Sequence, residues 1–219
     1  KMDRRDFLKT VAITGAALSI QHSEAMEILT QTINNTNGGN PDLVAVMGGE
    51  PEAMFRRAIS ELGGMKQFVK PGQKVVVKPN IGWDKVPELA GNTNPKLVAE
   101  IVKQCFAAGA KEVTVFDHTC DDWQKCYKNS GIEAVAKAAG AKVMPAHLES
   151  YYKPVDLPSG KKMKKAKVHE AILNCDVWIN VPILKNHGGA NLTISMKNHM
   201  GIVWDRGFFH QNDLQQCIA

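Results

Sequence analysis

Three lysines stand close to asparagines, in short segments whose side chains could hold a ligand. Lys78 opens a Lys-Pro-Asn tripeptide, and Lys185 and Lys197 each open a Lys-Asn-His tripeptide. An ammonium group can hold an anion as a point charge, helped by amide groups and by helix N-termini. A partly buried lysine can also lose its proton readily and act as a base or nucleophile. The alternative for each lysine is a surface position beside a turn.

These segments, with the one that follows Asp117, supply the residues that we predict to form a functional site. The predicted ligand-binding residues are Lys78, Asn80, Asp117, Lys197 and Asn198. The predicted catalytic residues are His118, Lys185 and His187, with the histidines moving protons. For Asp117, capping of the segment after its strand is an equally good interpretation.

Metal ligation is a second interpretation of the segment that follows Asp117. Its potential ligands are His118, Cys120 and Asp121, and zinc and iron sites do combine such groups. However, the sequence has neither a Cys-x-x-Cys nor a His-Glu-x-x-His spacing. We therefore name these three residues as candidates and predict no particular metal.

Several common cofactor motifs are missing from the sequence. No Gly-x-Gly-x-x-Gly follows the first predicted strand, and neither a phosphate-loop Gly-Lys-Ser/Thr nor a Gly-x-Ser-x-Gly elbow is found. The five cysteines show no closely spaced run of the kind that holds an iron–sulfur cluster. We therefore predict no nucleotide site, and the cofactor stays unknown.

Short β-branched runs alternate with helical runs along the body of the chain. The predicted strands are 43–47, 74–78, 112–117, 142–144 and 176–181. Predicted helices open at Pro51 and Pro95, and others cover 132–139, 171–174, 191–200 and 212–219. This alternation is typical of a mainly parallel sheet that is covered on both faces. We predict a three-layer, Rossmann-like α/β fold, with helices on both faces of the sheet.

The predicted fold also predicts where the site lies. In open α/β sheets, ligands bind beyond the carboxyl ends of the strands. The lysine, aspartate and histidine segments follow the predicted strands 74–78, 112–117 and 176–181. We therefore expect them to converge on one rim of the sheet.

The first 25 residues resemble a twin-arginine export signal. Arg4 and Arg5 precede Phe-Leu-Lys, an uncharged stretch follows, and small residues near Ala25 are suited to cleavage. The alternative is an amphipathic helix of the mature fold. We predict a signal peptide over 1–25, a linker over 26–41 and a single α/β domain over 42–219 that continues beyond this sequence. Its partner would be the twin-arginine export machinery, and its location would be the periplasm.

The composition is that of an ordinary globular domain. Apolar residues make up 44% and charged residues 22% of the chain, close to the average for packed proteins. A formal net charge of +5 is too small to indicate a nucleic-acid partner. No segment has the roughly 20 consecutive apolar residues of a spanning helix, so we predict no membrane span. The lysine-rich segment 161–167 predicts a solvated hairpin or edge strand, with a patch for an anionic surface as the alternative.

The chain resembles the bacterial and archaeal family known as domain of unknown function 362. The resemblance covers roughly residues 43–203, and its motifs lie at 78–80, 92–95, 181–187 and 195–201. Each motif is short, but their order and spacing together are specific. The family has no established biochemical role, and some members carry appended ferredoxin-like iron–sulfur segments. The resemblance therefore implies an association with redox chemistry, although this sequence contains no cluster motif.

Together, these features favour an exported enzyme or redox accessory that acts on a small anionic ligand at a lysine-lined cleft. One variant is acid–base chemistry at a carbon acid, such as racemisation. The alternative is a non-catalytic solute-binding or interaction module that uses the same cleft. The sequence leaves open whether the protein is an enzyme.

Overall fold

Four of the strands form a parallel sheet at the centre of the part of the chain that the computed structural model describes, residues 40–219. The strands are β1 (Lys74–Pro79), β2 (Glu112–Val115), β3 (Lys142–Val143), β4 (Tyr152–Asp156), β5 (Lys165–His169), β6 (Val177–Val181), β7 (Lys185–His187) and β8 (Asn191–Thr193). The sheet has the order β3-β2-β1-β6, so that β1 pairs with both β2 and β6. The remaining strands form the antiparallel pairs β4–β5 and β7–β8.

The helices connect the strands and pack around the sheet. They are α1 (Pro51–Glu61), α2 (Pro95–Ala107), α3 (Trp123–Asn129), α4 (Ile132–Ala138), α5 (Glu170–Leu173), α6 (Ser195–Asn198), α7 (Gly207–Gln211) and α8 (Leu214–Ile218). As predicted, Pro51 and Pro95 begin their helices, where the missing N–H costs nothing. The Asn94 side chain caps α2 by accepting a hydrogen bond from the Lys96 amide.

Alternate residues of β1 face two separate hydrophobic cores. Val75 and Val77 pack in a core with residues of α1, α2 and α4, whereas Val76 packs on the other face with Phe116 and Met200. All three valines are buried, and full burial of such a side chain contributes about 1.5–3 kcal/mol. A strand that is apolar at every position is expected where both faces of a parallel sheet are covered. The predicted α/β fold class is therefore confirmed.

A hairpin covers part of the second face of the sheet. The lysine-rich segment 161–167 forms part of the connection between β4 and β5 and the start of β5, as predicted for a hairpin, and its lysines are exposed. Two apolar side chains of the hairpin, Tyr152 and Met163, are buried in the second core. A bridge between Val168 and Val203 joins the hairpin to the chain that follows α6.

Two predicted elements are wrong. Residues 43–47 form no strand, and Leu43 and Met47 are 75% and 79% exposed. A strand needs a neighbour for its backbone groups, and this apolar run pairs with neither edge of the sheet. The predicted helix 191–200 begins instead as β8, which pairs with β7, and only then becomes α6 and a 3₁₀ turn over His199–Ile202. Pairing across the turn between β7 and β8 outweighs the helical spacing of the apolar residues.

The predicted signal peptide, 1–25, and nearly all of the predicted linker lie outside the described residues. Within residues 40–219, no helix is long and apolar enough to cross a membrane.

Candidate functional site

The candidate site lies at the carboxyl ends of β1, β2 and β6. The register of the sheet places Lys78 of β1 opposite Asn180 of β6, and Asp117 follows β2 by two residues. The chain that follows β6 returns over this edge through β7, β8 and α6. Segments that are far apart in the sequence are thereby brought to one rim, as the predicted fold required.

A buried ion pair between Lys78 and Asp117 is the centre of the rim. Their side chains are 1% and 2% exposed, and Nζ lies 2.7 Å from Oδ1 of Asp117. Lys78 Nζ also donates to the Pro79 carbonyl at 2.9 Å and to Asn198 Oδ1 at 2.8 Å. Burial lowers the pKa of Lys78, and the Asp117 carboxylate opposes that shift. Three acceptors lie around the buried ammonium group: two are joined to it by hydrogen bonds, and Asp117 Oδ1 is joined to it by charge.

The second oxygen of the Asp117 carboxylate is held by the backbone that follows β1. Asp117 Oδ2 accepts a hydrogen bond from the Ile81 amide at 2.7 Å. Its buried Oδ1 has no hydrogen bond of good geometry, so attraction to the Lys78 ammonium is what offsets the burial of that oxygen. A carboxylate in this position fixes the lysine and the backbone after β1 in one arrangement.

Asn198 connects the ion pair to the neighbouring strand. Its Nδ2 donates to Asn180 Oδ1 at 2.8 Å and to the Lys78 carbonyl at 3.3 Å. Its Oδ1 accepts from Lys78 Nζ at 2.8 Å and from Asn80 Nδ2 at 3.3 Å. The side chain is 7% exposed, so it serves as a buried bridge between β1, β6 and α6.

Lys185 reaches into the same rim from β7. Its Nζ donates to Asn80 Oδ1 at 2.9 Å and to the Gly91 carbonyl at 2.8 Å, and lies 5.8 Å from the centre of the Trp83 ring. An ammonium group has three donors, so one donor remains for a ligand. Burial lowers the pKa of this half-buried lysine.

Lys197 and Arg206 add two further cations. Among the described residues, no hydrogen bond or ion pair forms at Lys197 Nζ, and burial lowers the pKa of this half-buried side chain. Arg206 donates to the carbonyls of His118 and Thr119 at 2.9 and 2.6 Å and lies 3.4 Å from Cys120 Sγ. Its guanidinium is bound to neutral groups only.

Arg206 was not among the residues that the sequence singled out. It follows the last motif and has no recognisable spacing to the lysines. One signal was available, because it is the only arginine after Arg57. Arginine is the residue best suited to bidentate contact with carboxylate and phosphate groups.

The charges at this rim do not balance. Four cations, Lys78, Lys185, Lys197 and Arg206, face one carboxylate, Asp117, which leaves three positive charges unmatched. The lysines are close enough that Lys78 and Lys197 each lower the pKa of Lys185 in addition to its burial. Half-buried cations without counterions favour an anionic ligand, since desolvated charges are stable only when paired.

The two predicted catalytic histidines have opposite tautomers. His118 Nδ1 lies 3.1 Å from the Val203 carbonyl and must donate to it, which leaves a lone pair on Nε2. His187 Nδ1 accepts from the amides of Gly189 and Ala190, both at 3.0 Å, so its Nε2 carries the proton. His118 can therefore accept a proton or a hydrogen bond at Nε2, whereas His187 can donate a hydrogen bond there.

Both histidines are neutral at pH 7. Burial, followed by the charge of Arg206, lowers the pKa of His118 to about 4. Burial, followed by the charge of Lys197, lowers the pKa of His187. A neutral His118 that stacks on Trp204, with ring centres 5.2 Å apart, is only a weak base.

The three candidate metal ligands do not come together. The His118 ring faces Val203 and Trp204, the Asp121 carboxylate accepts from the Asp84 amide, and Cys120 Sγ contacts Arg206. Successive residues of this loop point in different directions. Within residues 40–219, no group of three or more His, Cys, Asp or Glu side chains could hold a metal ion.

A parallel α/β sheet with a lysine-lined rim at the carboxyl ends of its strands defines the class of this protein. The chain belongs to the family described as Domain of unknown function (DUF362), whose model matches residues 75–219, which confirms the resemblance found in the motifs. It is also similar to the thylakoid-associated protein sll1697 of Synechocystis sp., with 27% identity over 151 residues. That match covers 69% of this chain and 46% of the relative, so the chain spans less than half the length of the curated relative. No solved structure matches the chain.

Proposed function

We propose that this protein binds a small anionic ligand in the lysine-lined cleft and acts on it as an exported enzyme or redox accessory. The observation that carries the proposal is the excess of three positive charges in a half-buried cleft. Lys185, Lys197 and Arg206 supply the direct contacts, because each has donors that the described residues leave free. Lys78, Asp117 and Asn198 hold the rim in place beneath them.

A neutral donor completes this site for an anion. His187 presents Nε2–H, and burial, together with the charge of the nearby Lys197, lowers the pKa of this ring. Asn80 positions the charged donor beside it by accepting a hydrogen bond from Lys185 Nζ at Oδ1. Charged and neutral donors around one cleft are the usual composition of sites for carboxylate and phosphate groups.

Replacing Lys185 and Lys197 together with methionine is expected to remove the binding of simple anions. Each charge-assisted hydrogen bond contributes about 1.5–3 kcal/mol, so each substitution should weaken binding by about tenfold or more. Isothermal titration calorimetry with inorganic phosphate and with succinate, at constant ionic strength, measures this change.

Lys111→Met is the matched control for that experiment. Lys111 is exposed and precedes β2 at the opposite edge of the sheet, so its loss changes the net charge without touching the cleft. If the double variant binds phosphate and succinate as tightly as the unchanged protein does, the cleft is not the anion site. The same conclusion follows if its affinity for them falls no further than that of Lys111→Met.

A non-catalytic solute-binding or interaction module is the second candidate function. Two groups favour it: Nδ1 of His187 is already used by two backbone amides, and Lys78 Nζ is buried among protein acceptors, so neither atom is available to take a proton from a ligand. Elemental analysis and native mass spectrometry of protein purified anaerobically from its host distinguish the two functions. A stoichiometric metal or bound cofactor supports the enzyme or redox accessory, and protein without either supports the binding module.

Export through the twin-arginine machinery is part of the proposal and rests on the sequence of residues 1–25 alone. A fusion of residues 1–39 to a reporter that folds in the cytoplasm is expected to reach the periplasm. Changing Arg4 and Arg5 to lysine is expected to abolish that transport, while Lys1→Arg should not. If all three fusions deliver the same amount of reporter to the periplasm, residues 1–25 do not act as a twin-arginine signal.

A further inference from the structure

One exposed thiol lies inside the cationic cleft. Cys120 is exposed, whereas Cys105 and Cys126 are fully buried. Its sulfur is 3.4 Å from Arg206 Nη1. A methyl group placed on Gly82 would come within 3.9 Å of this sulfur and within 3.7 Å of the Asn80 amide. Gly82 therefore borders both the thiol and the asparagine that holds Lys185.

The backbone around Cys120 is fixed. Its amide donates to the Gly82 carbonyl at 2.8 Å, and the Asp121 amide donates to the same carbonyl at 3.2 Å. Arg206 binds the carbonyls of the two residues before Cys120. The position of the sulfur relative to the cations is thus set by hydrogen bonds on both sides of the loop.

Asn80 connects this corner of the rim to the lysines. Lys185 Nζ donates to Asn80 Oδ1 at 2.9 Å, and Asn80 Nδ2 donates at 3.3 Å to Asn198, which follows Lys197. The Asn80 amide and the sulfur both lie against Gly82. An anion held by Lys185, Lys197 and Arg206 consequently lies beside a thiol, which is an intrinsically strong nucleophile.

We propose that Cys120 is the nucleophile of this cleft and attacks a small anion that carries an electrophilic carbon next to its carboxylate or phosphate group. In this step the sulfur–carbon bond forms, the bond from that carbon to its leaving group breaks with its electron pair, and the thiol proton passes to solvent. The cations contribute by holding the electrophile in place, which is the proximity effect of intramolecular reactions. The inference rests on the proposed anion site.

A pair of alkylating reagents tests this inference. Iodoacetate is an anion, iodoacetamide is its neutral counterpart, and both form a sulfur–carbon bond while releasing iodide. Rates are measured at Cys120 by peptide mass spectrometry of the full chain, folded and in denaturant. The ratio of the iodoacetate rate to the iodoacetamide rate cancels any difference in how readily the thiol ionises. We expect that ratio to be about tenfold or more higher in the folded protein.

Three variants make the result specific. The preference for iodoacetate should fall to that of the unfolded chain in Lys185→Met/Lys197→Met, remain in Lys111→Met, and be competed by inorganic phosphate. Cys120→Ser should remove the labelled peptide. Cys217, which lies outside the cleft, is expected to show no preference for the anion in the same samples.

Three results would overturn the inference. Phosphate binding without any preference for iodoacetate at Cys120 rejects the nucleophile but leaves the anion site standing. Absence of both phosphate binding and the preference rejects the anion site and the nucleophile together. A preference that persists in the double lysine variant also contradicts the inference, because the cations would then not guide the reagent.

Discussion

Replacing Lys78 with methionine is expected to lower the free energy of unfolding by about 3–5 kcal/mol, because the Asp117 carboxylate would then be a buried charge without a partner. Asp117 is 2% exposed and lies 2.7 Å from the ammonium group that the substitution removes. Methionine has nearly the length of lysine, so the change isolates the charge. Urea denaturation at pH 7 measures the loss.

Two further variants show that the ion pair causes this loss. Replacing Asp117 with leucine in addition should recover much of the stability, because it removes the unpaired charge. Lys137→Met breaks an exposed ion pair with Glu133 on α4 and should cost less than about 1 kcal/mol. A loss at Lys78 as small as that at Lys137 would mean that the Lys78–Asp117 pair does not stabilise the rim.

Replacing Gly201 with alanine is expected to disrupt the same ion pair by crowding. A methyl group at Gly201 would lie 2.6 Å from Lys78 Nζ and would also collide with Asp117 Oδ1. Both side chains are buried and held by other hydrogen bonds, so neither can move away without losing contacts. Overpacking of this kind costs about 1–3 kcal/mol, and here it should also weaken phosphate binding by displacing the rim.

Gly188→Ala is the matched control for that prediction. Gly188 has nothing within 4 Å of the position of the added methyl group, so stability and phosphate binding should stay unchanged. The crowding should also depend on the Asp117 side chain, and Gly201→Ala should therefore cost less in a protein that already carries Asp117→Ala. If the losses in the free energy of unfolding of the two single variants simply add in the combined variant, the methyl group at residue 201 does not act by crowding the ion pair.

Periodicity in the sequence was enough to predict the parallel sheet. Valines at consecutive positions of β1 indicated a strand covered on both faces, and Pro95 with Gly109 marked the ends of α2. These signals are local, because burial on two faces and the start or end of a helix depend on neighbouring residues. The rule that ligands bind at the carboxyl ends of the strands then located the rim.

The same periodicity failed where pairing partners decide the structure. Residues 43–47 have the composition of a strand but no neighbour in the sheet. Asn191 to Thr193 have helical spacing but pair with β7. A strand exists only through hydrogen bonds to another segment, and that information is not present in either run by itself.

The sequence by itself identified the lysines, asparagines and Asp117 as candidates and placed them at one edge of the sheet. Only the tertiary structure showed that Lys78 is buried against Asp117 and Asn198, that Lys185 keeps a free donor, and that Arg206 joins them. Which donors remain free depends on acceptors more than one hundred residues away along the chain. Residue type fixes what a side chain can bind, but its partners in space decide which of those bonds are already made.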